Sequence, residues 1–314
     1  MIPNRPIDQA SRYRGCLLGL AVGDAVGTTV EFKRPGTFEP IDDMVGGGPF
    51  NLEPGQWTDD TSMALCLATS LIECNGFDAN DQMRRYCRWW HAGYLSSTNN
   101  CFDIGNTVSD ALRCYEATGN PFAGSTDPDS AGNGSIMRLA PIPMFYAKDI
   151  EAAEHYAAES SRTTHGAIEC TDACRLLARI LVRALRGGSK TDVLLADADR
   201  PAFTDRIAAI ARGDYRGKSA SEIYGTGYVV QSLEATLWAF DSTTNFRDAV
   251  LAAVNLGDDA DTTAAICGQV AGAFYGDPGI PAQWLARLTL REDIATLADG
   301  LFRQAICFAS PIQD

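Results

Sequence analysis

GQWTDDTSMAL, residues Gly55–Leu65, opens an apolar helix with three oxygen-bearing side chains in a row. Thr58, Asp59 and Asp60 suit a helix start, because Asp and Thr accept hydrogen bonds from the free amides of a first turn. Two carboxylates and a hydroxyl exceed what a cap needs. They make a set of hard oxygen donors, suited to Mg²⁺ or Mn²⁺ rather than zinc. Far along the chain, GDDADTTAAI repeats the arrangement. There Asp259, Asp261 and Thr262 precede a second apolar helix, expected over Thr263–Phe274. Either cluster alone reads as an ordinary helix cap. Two in mirrored settings point to one metal site on which two helix N-termini converge.

The segments around these clusters read as helices. Ser11–Phe32, SRYRGCLLGLAVGDAVGTTVEF, has an apolar face at Leu17, Leu20 and Ala21 and a glycine at every fourth position, Gly15, Gly19, Gly23 and Gly27. A stripe of small residues lets a second helix approach closely. Asp24 and Glu31 break the apolar pattern, and a buried carboxylate needs a cation, a metal or donors. Glu31 reads equally well as a solvated residue at a helix end. Arg34–Pro54, with GGGP at Gly46–Pro49, is a long loop of the kind that forms lids or binding loops. Met63, Leu67, Leu71 and Cys74 continue the first acidic helix, and Met83, Tyr86, Trp89 and Trp90 mark core positions in Asp78–Gly93.

Asp103, in CFDIGNT, stands before a helix through Val108, Leu112 and Tyr115, where an N-cap role competes with a functional one. AGNGSIMR, Ala131–Arg138, sets two glycines and Ser135 at the start of an expected helix. Amides at such a start bind anions, although most such turns only reverse the chain. His165 heads the helical stretch Thr164–Leu185 and reads as a cap or packed residue before a catalyst. Tyr228 is presented by YGTGYVV ahead of a helix Gln231–Phe240. Helical patterns also cover Ile150–Ser160, Lys190–Gly213, Phe246–Val254 and Pro281–Phe308. No alternating strand series, repeat, GxGxxG, P-loop or HExxH pattern is present. The expectation is an all-α chain, one compact domain over 1–314 behind a polar lead-in, 1–11.

Bulk properties narrow the function. A formal net charge of −14 argues against a nucleic-acid binder, and bound divalent cations would offset part of it. The 46% hydrophobic content supports a sizeable core. Ten cysteines are dispersed with no CxxC pair, and Cys66, Cys114 and Cys267 fall inside apolar helical patterns. They read as reduced core thiols of a cytoplasmic protein. No apolar run reaches the roughly eighteen residues of a membrane span, and the run Cys16–Gly23 passes into Asp24, which argues against a signal peptide.

RGCLLGLAVGDAVGTTVEF, GQWTDDT, DIGNT, GNGSIMR, TTH and NLGDDADTTAAI follow one another in the order found in the ADP-ribosylglycohydrolases, and the chain resembles that family from about Arg14 to Gly276. GYVVQSLEATLWAF makes it look most like the bacterial dinitrogenase reductase-activating branch. The resemblance implies an orthogonal multi-helix bundle with a dinuclear metal cleft. It implies two divalent cations, Mg²⁺ or Mn²⁺, held by Thr58, Asp59, Asp60, Asp259, Asp261 and Thr262. Glu31, Asp60 and Asp103 would carry the catalytic role, Asp103 facing the scissile ribose. Gly132, Asn133, Gly134 and Ser135 would cradle the diphosphate, with His165 of the TTH motif also binding the ADP-ribose. Tyr228 would stack on adenine. The implied reaction is hydrolysis of the N-glycosidic bond between ADP-ribose and a protein arginine. Two metals would hold ribose hydroxyls and water, and carboxylates would stabilise an oxocarbenium-like state.

The expected partners are an ADP-ribosylated protein and the ADP-ribose product, with no nucleic acid and no membrane span, the chain acting as a monomer. Two other readings compete. One is a hydrolase of ADP-ribosyl-serine or O-acetyl-ADP-ribose. The other is a non-catalytic ADP-ribose binder, which loss of metal ligands would have favoured.

Overall fold

The computed structural model describes residues 7–195 and 203–307. Residues 1–6 of the lead-in, the middle of the Lys190–Gly213 stretch and Phe308 lie outside the described residues. Among the described residues there are fourteen α-helices: α1 (Gln9–Gly27), α2 (Asp59–Cys74), α3 (Ala79–Ala92), α4 (Asn106–Thr118), α5 (Pro141–Phe145), α6 (Ile150–Arg162), α7 (Ile168–Leu185), α8 (Lys190–Leu194), α9 (Asp205–Arg212), α10 (Val229–Ser242), α11 (Phe246–Val254), α12 (Ala260–Tyr275), α13 (Ala282–Arg287) and α14 (Arg291–Cys307). Among the described residues there is no strand, only isolated bridges such as Gly132 with Tyr228 and Ser125 with His165. The all-α expectation holds. No helix of the described residues is long and apolar enough to cross a membrane.

The centre of the fold is the antiparallel pair α1 and α12. The glycine stripe of α1 is its contact surface. A β-carbon on Gly15 would fall 2.3 Å from the carbonyl oxygen of Gly272, and one on Gly19 equally close to that of Gly268. One on Gly23 would meet Ala264 O at 2.1 Å, and one on Gly27 would meet Asp261 Cα at 2.3 Å. Rising numbers on α1 therefore meet falling numbers on α12, and the C-terminal end of α1 lies beside the N-terminal turn of α12. Every residue of α1 from Gly15 to Gly27 is buried.

Several boundaries differ from the sequence reading. α1 begins at Gln9, because Asp8 caps it by accepting from Ser11 N at 2.7 Å. α12 begins at Ala260, so Asp261 and Thr262 belong to its first turn. The loop Arg34–Pro54 has no helix and is tied down at its middle. Trp284 Nε1 and Arg287 Nη1 donate to Asp43, and Asn255 exchanges hydrogen bonds with the backbone of Ile41. The cysteines are all free, but Cys74, Cys307 and Cys114 on α4 are exposed rather than in the core. The apolar pattern around Cys114 covers only the opposite face of that helix, at Val108, Ala111 and Leu112.

The α1–α12 contact carries a stability prediction. Gly268→Ala sets a β-carbon 1.9 Å from Gly19 O. Alanine gains roughly 1 kcal/mol over glycine in a helix, yet overpacking of a rigid backbone contact outweighs this, and we expect a net loss of about 2 kcal/mol or more in urea unfolding. Gly105→Ala is the control. Gly105 has φ −66° and open space around its Cα, so stability there should stay within about 0.5 kcal/mol.

Candidate active site

The first turns of α2 and α12 meet at the C-terminal end of α1 and open onto a cleft of about 920 Å³. Asp24 makes this junction. It is fully buried on α1, and its Oδ1 accepts from Thr58 N and Thr58 Oγ1, both at 2.9 Å. Its Oδ2 accepts from Thr61 N at 3.1 Å and Thr61 Oγ1 at 2.6 Å. Asp24 thus caps α2 from another helix. Thr58 occupies the N-cap position, but its side chain makes no cap bond, because it is committed to Asp24.

The Thr58 hydroxyl has one proton, which Asp24 takes. Its lone pairs are left beside Asp60 Oδ2 at 3.4 Å and Asp261 Oδ2 at 3.3 Å. Thr262 Oγ1 lies 3.3 Å from the same Asp60 oxygen. The two acidic clusters, remote in sequence, are therefore in contact. Carboxylate oxygens of Glu31, Asp103 and Asp261 also come within 4.8 Å of one another. Asp259 is held at its Oδ2 by Asn133 Nδ2 at 2.7 Å. Asp59 lines the cleft at 6% exposure.

Seven carboxyl groups, including Asp24, thus share one buried region. Arg34 is the one Lys or Arg among the residues lining the cleft. Burial first, and repulsion between carboxylates second, push Glu31, Asp59, Asp60, Asp103 and Asp261 up. Glu31 rises to about 9 and Asp103 to about 8. Asp59, Asp60 and Asp261 lie well above the ordinary carboxylate range for the same reasons. Asp24 rises only to about 6, because the donors of Thr58 and Thr61 oppose its burial. Glu31 Oε2 and Asp60 Oδ1 are buried with no hydrogen-bond partner among the described residues. Unpaired carboxylate oxygens in a cation-poor pocket are the donor set a hard divalent cation requires. The residues present fit such an ion.

The backbone around the cleft is strained. Phe32, Asp103 and Asp258 have φ of 62°, 60° and 53°, a left-handed conformation rare outside glycine and concentrated at functional sites. Phe32 N donates to Asp258 O at 2.7 Å, and Asp258 N to Lys33 O at 2.8 Å, locking the segments that carry Glu31 and Asp259 together. Asp103 is not a helix cap. The N-cap of α4 is Gly105, and Asp103 instead joins Glu31 and Asp261.

Gly132, Asn133 and Gly134 line the cleft, but within consecutive turns, not the expected helix start, whereas Ser135 is buried outside the lining, its hydroxyl 3.4 Å from Cys174 Sγ. Gln269 of α12 donates to the carbonyls of Ile136 at 3.1 Å and Met137 at 2.6 Å, the acceptors a helix would have used. Pro141 then lacks the amide that would bond back to Met137. Asn133 N donates to Gly227 O, which aligns the turn with the Tyr228 segment. Tyr228 borders an adjoining cavity of about 650 Å³ that shares Thr107, Gly132 and Gly227 with the cleft. Its hydroxyl accepts from Arg206 Nη1 at 2.6 Å and donates to Glu169 Oε2. His165 is buried at 2% exposure and lines the main cleft. Sequence reasoning missed Arg206 and Glu169, which carry no motif and act only through their nearness to Tyr228. Asp24 showed itself only as a polar interruption, and Asn133 was expected at the diphosphate rather than as the partner of Asp259.

Comparison with known proteins follows the same lines. The sequence pattern describing the ADP-ribosylglycohydrolase family matches residues 5–307. An ADP-ribosylarginine hydrolase, Tri1, of Pseudomonas putida is 45% identical over 97% of this chain and 81% of its own. An ADP-ribosyl-[dinitrogen reductase] glycohydrolase of Rhodospirillum rubrum is 34% identical over 94% of this chain and 96% of its own. A solved structure titled as an ADP-ribosylglycohydrolase-related protein complex superimposes with a TM-score of 0.84 at 42% identity, covering 95% of this chain and 99% of the other.

The raised carboxyl groups give a pH prediction for metal-free protein. A carboxyl whose folded value lies above its unfolded one makes the native state bind more protons, so its contribution is complete below the ordinary value and is lost as pH rises through the folded value. For Asp24, Asp103 and Glu31 those folded values are about 6, 8 and 9. In excess chelator the melting temperature should therefore fall steadily from pH 5 to pH 9. Mg²⁺ should restore it most at the alkaline end. A flat profile would count against a shared acidic pocket.

Proposed function

Because this chain belongs to the ADP-ribosylglycohydrolase family, we propose that it hydrolyses the N-glycosidic bond joining ADP-ribose to a protein arginine side chain, reversing mono-ADP-ribosylation. The observation that carries this reading is the contact between the TDDT and DDADT clusters beside a cleft, in a chain 45% identical to an ADP-ribosylarginine hydrolase. Thr58, Asp59, Asp60, Asp259, Asp261 and Thr262 are the residues that would hold two divalent cations, Mg²⁺ or Mn²⁺. When bound, such ions supply charge neutralisation, a grip on ribose hydroxyls and a more acidic water.

The chain's own groups do the rest. With divalent cations in place to lower these raised carboxyl groups, Glu31, Asp60 and Asp103 would put negative charge where an oxocarbenium-like centre forms. A departing guanidine ends as a guanidinium, and a carboxylate at Asp103 accepts its charge-assisted hydrogen bond. That carboxylate would help a serine hydroxyl less. The Gly132–Gly134 turn and His165 border the space for the diphosphate, and Tyr228 offers a ring face for adenine in the adjoining cavity. All these residues come from one chain, so a monomer suffices. Ten free cysteines support a reducing, cytoplasmic setting.

The direct test is release of ADP-ribose from an arginine-modified protein. Mg²⁺ or Mn²⁺ should support it and chelation should abolish it. Asp261→Asn should stay folded and lose at least about a hundredfold in rate, since a charged oxygen donor becomes neutral. A folded Asp261→Asn protein with near-normal turnover would remove Asp261 from the ligand set.

A second test concerns Tyr228. An aromatic face under a base is worth roughly 1–3 kcal/mol, and it acts alike in ground and transition states. Tyr228→Ala should therefore raise KM with kcat little changed. An unchanged KM would make Tyr228 a packing residue.

A further inference from the structure

His165 lies directly beneath the Gly132–Gly134 turn. A β-carbon on Gly134 would fall 2.7 Å from His165 Cε1 and 3.1 Å from Nε2, and one on Gly132 would fall 3.4 Å from Nε2. Nε2 thus sits at the cleft wall against the turn, and among the described residues it has no hydrogen-bond partner. The other ring nitrogen, Nδ1, is 2.9 Å from Thr164 Oγ1. That hydroxyl is in turn 2.7 Å from Arg138 Nη2.

The proton positions follow from this chain of contacts. A guanidinium only donates, so the Thr164 oxygen accepts from Arg138. Thr164 is fully buried, and among the described residues the single acceptor left for its hydroxyl proton is His165 Nδ1. A proton on Nδ1 would instead strand the hydroxyl hydrogen, and a buried unmade hydrogen bond is costly. The imidazole proton therefore belongs on Nε2.

Arg138 is rigidly placed for this task. It is 1% exposed, and its Nη1 donates to Gly134 O at 2.8 Å. Its guanidinium lies 4.8 Å from the centre of the Tyr86 ring. One guanidinium thus fixes both the glycine turn and the partner of His165. Among the described residues Arg138 has no carboxylate partner, so its field, added to burial, opposes a second proton on the ring. His165 is accordingly pushed down to about 3, by burial first and Arg138 second.

We propose that Arg138 and Thr164 are positioning residues that hold the His165 proton on Nε2, so that the ring presents one N–H donor beside the glycine turn to an anionic oxygen of a bound diphosphate. The ligand named here rests on the ADP-ribose reading of the cleft. The arrangement makes His165 a donor rather than a general base, since the one nitrogen facing the cleft carries the proton.

The chain has three histidines, His91, His155 and His165, so ¹⁵N NMR of the ring nitrogens is tractable on the full Mg²⁺-loaded protein. Without ligand, His165 should show a protonated Nε2 and an unprotonated Nδ1. Thr164→Ser keeps the hydroxyl and should keep this signature. Thr164→Val should lose the tautomer preference and raise both the Kd for ADP-ribose and KM about tenfold, with kcat within about twofold. A wild-type spectrum with the proton on Nδ1 overturns the proposal, whether or not the valine variant folds. So does a folded Thr164→Val protein with wild-type ADP-ribose affinity. Failure of the wild-type protein to bind ADP-ribose overturns the ligand reading, whereas the ligand-free spectrum decides the relay by itself.

Discussion

Two backbones touching without side chains between them set the frame of this protein. α1 and α12 approach until glycine α-carbons on one meet carbonyl oxygens of the other. A side chain at any of the four α1 glycines would collide with the α12 backbone. The consequence reaches the cleft, because antiparallel contact along the full stripe sets the last turn of α1 against the first turn of α12. Asp24 then ties α2 to the same corner through four hydrogen bonds. Two helix N-termini and one helix C-terminus are held together by packing and a single buried carboxylate.

That corner is electrostatically expensive. Buried carboxyls in contact repel one another, and burial raises each of them. Dipoles at the α2 and α12 N-termini offset part of this. The remainder is left unresolved by the protein itself, as the unpartnered oxygens of Glu31 and Asp60 indicate. Strained backbone at Phe32, Asp103 and Asp258 belongs to the same pattern. The packing of α1 on α12 supplies the stability against which this strain and repulsion are held. Across the cleft the chemistry changes character. There the wall is built from uncharged groups, Gly132–Gly134 and His165, while the acidic side suits cations.

Much of this was legible in the chain. Local rules predicted helices opening at both acidic clusters, the helix at Phe246–Val254 and the all-α class, because apolar periodicity and capping residues act over a few positions. The glycine stripe announced a close helix partner, although not which one. Other readings failed for tertiary reasons. Of the two roles open to Asp103, the cap is excluded, because the chain turns through this left-handed residue before α4 starts at its Gly105 cap. The turn after Asn133 looked like a helix start and is not, because Gln269 takes its carbonyls. Cys114 looked buried, yet its face of α4 points to solvent.

By itself the sequence determined which residues carry charge, which stretches coil into helices and which faces are apolar, since those properties belong to side chains and their near neighbours. It also carried the motif order by which the family is known. Only the tertiary structure decided which helix fills the glycine stripe, that Asp24 caps α2 from a distance, and that Arg138 reaches His165 through Thr164. Each of these is a contact between segments far apart in the chain. Such contacts are chosen by how whole helices pack, and no local pattern of residues records that choice.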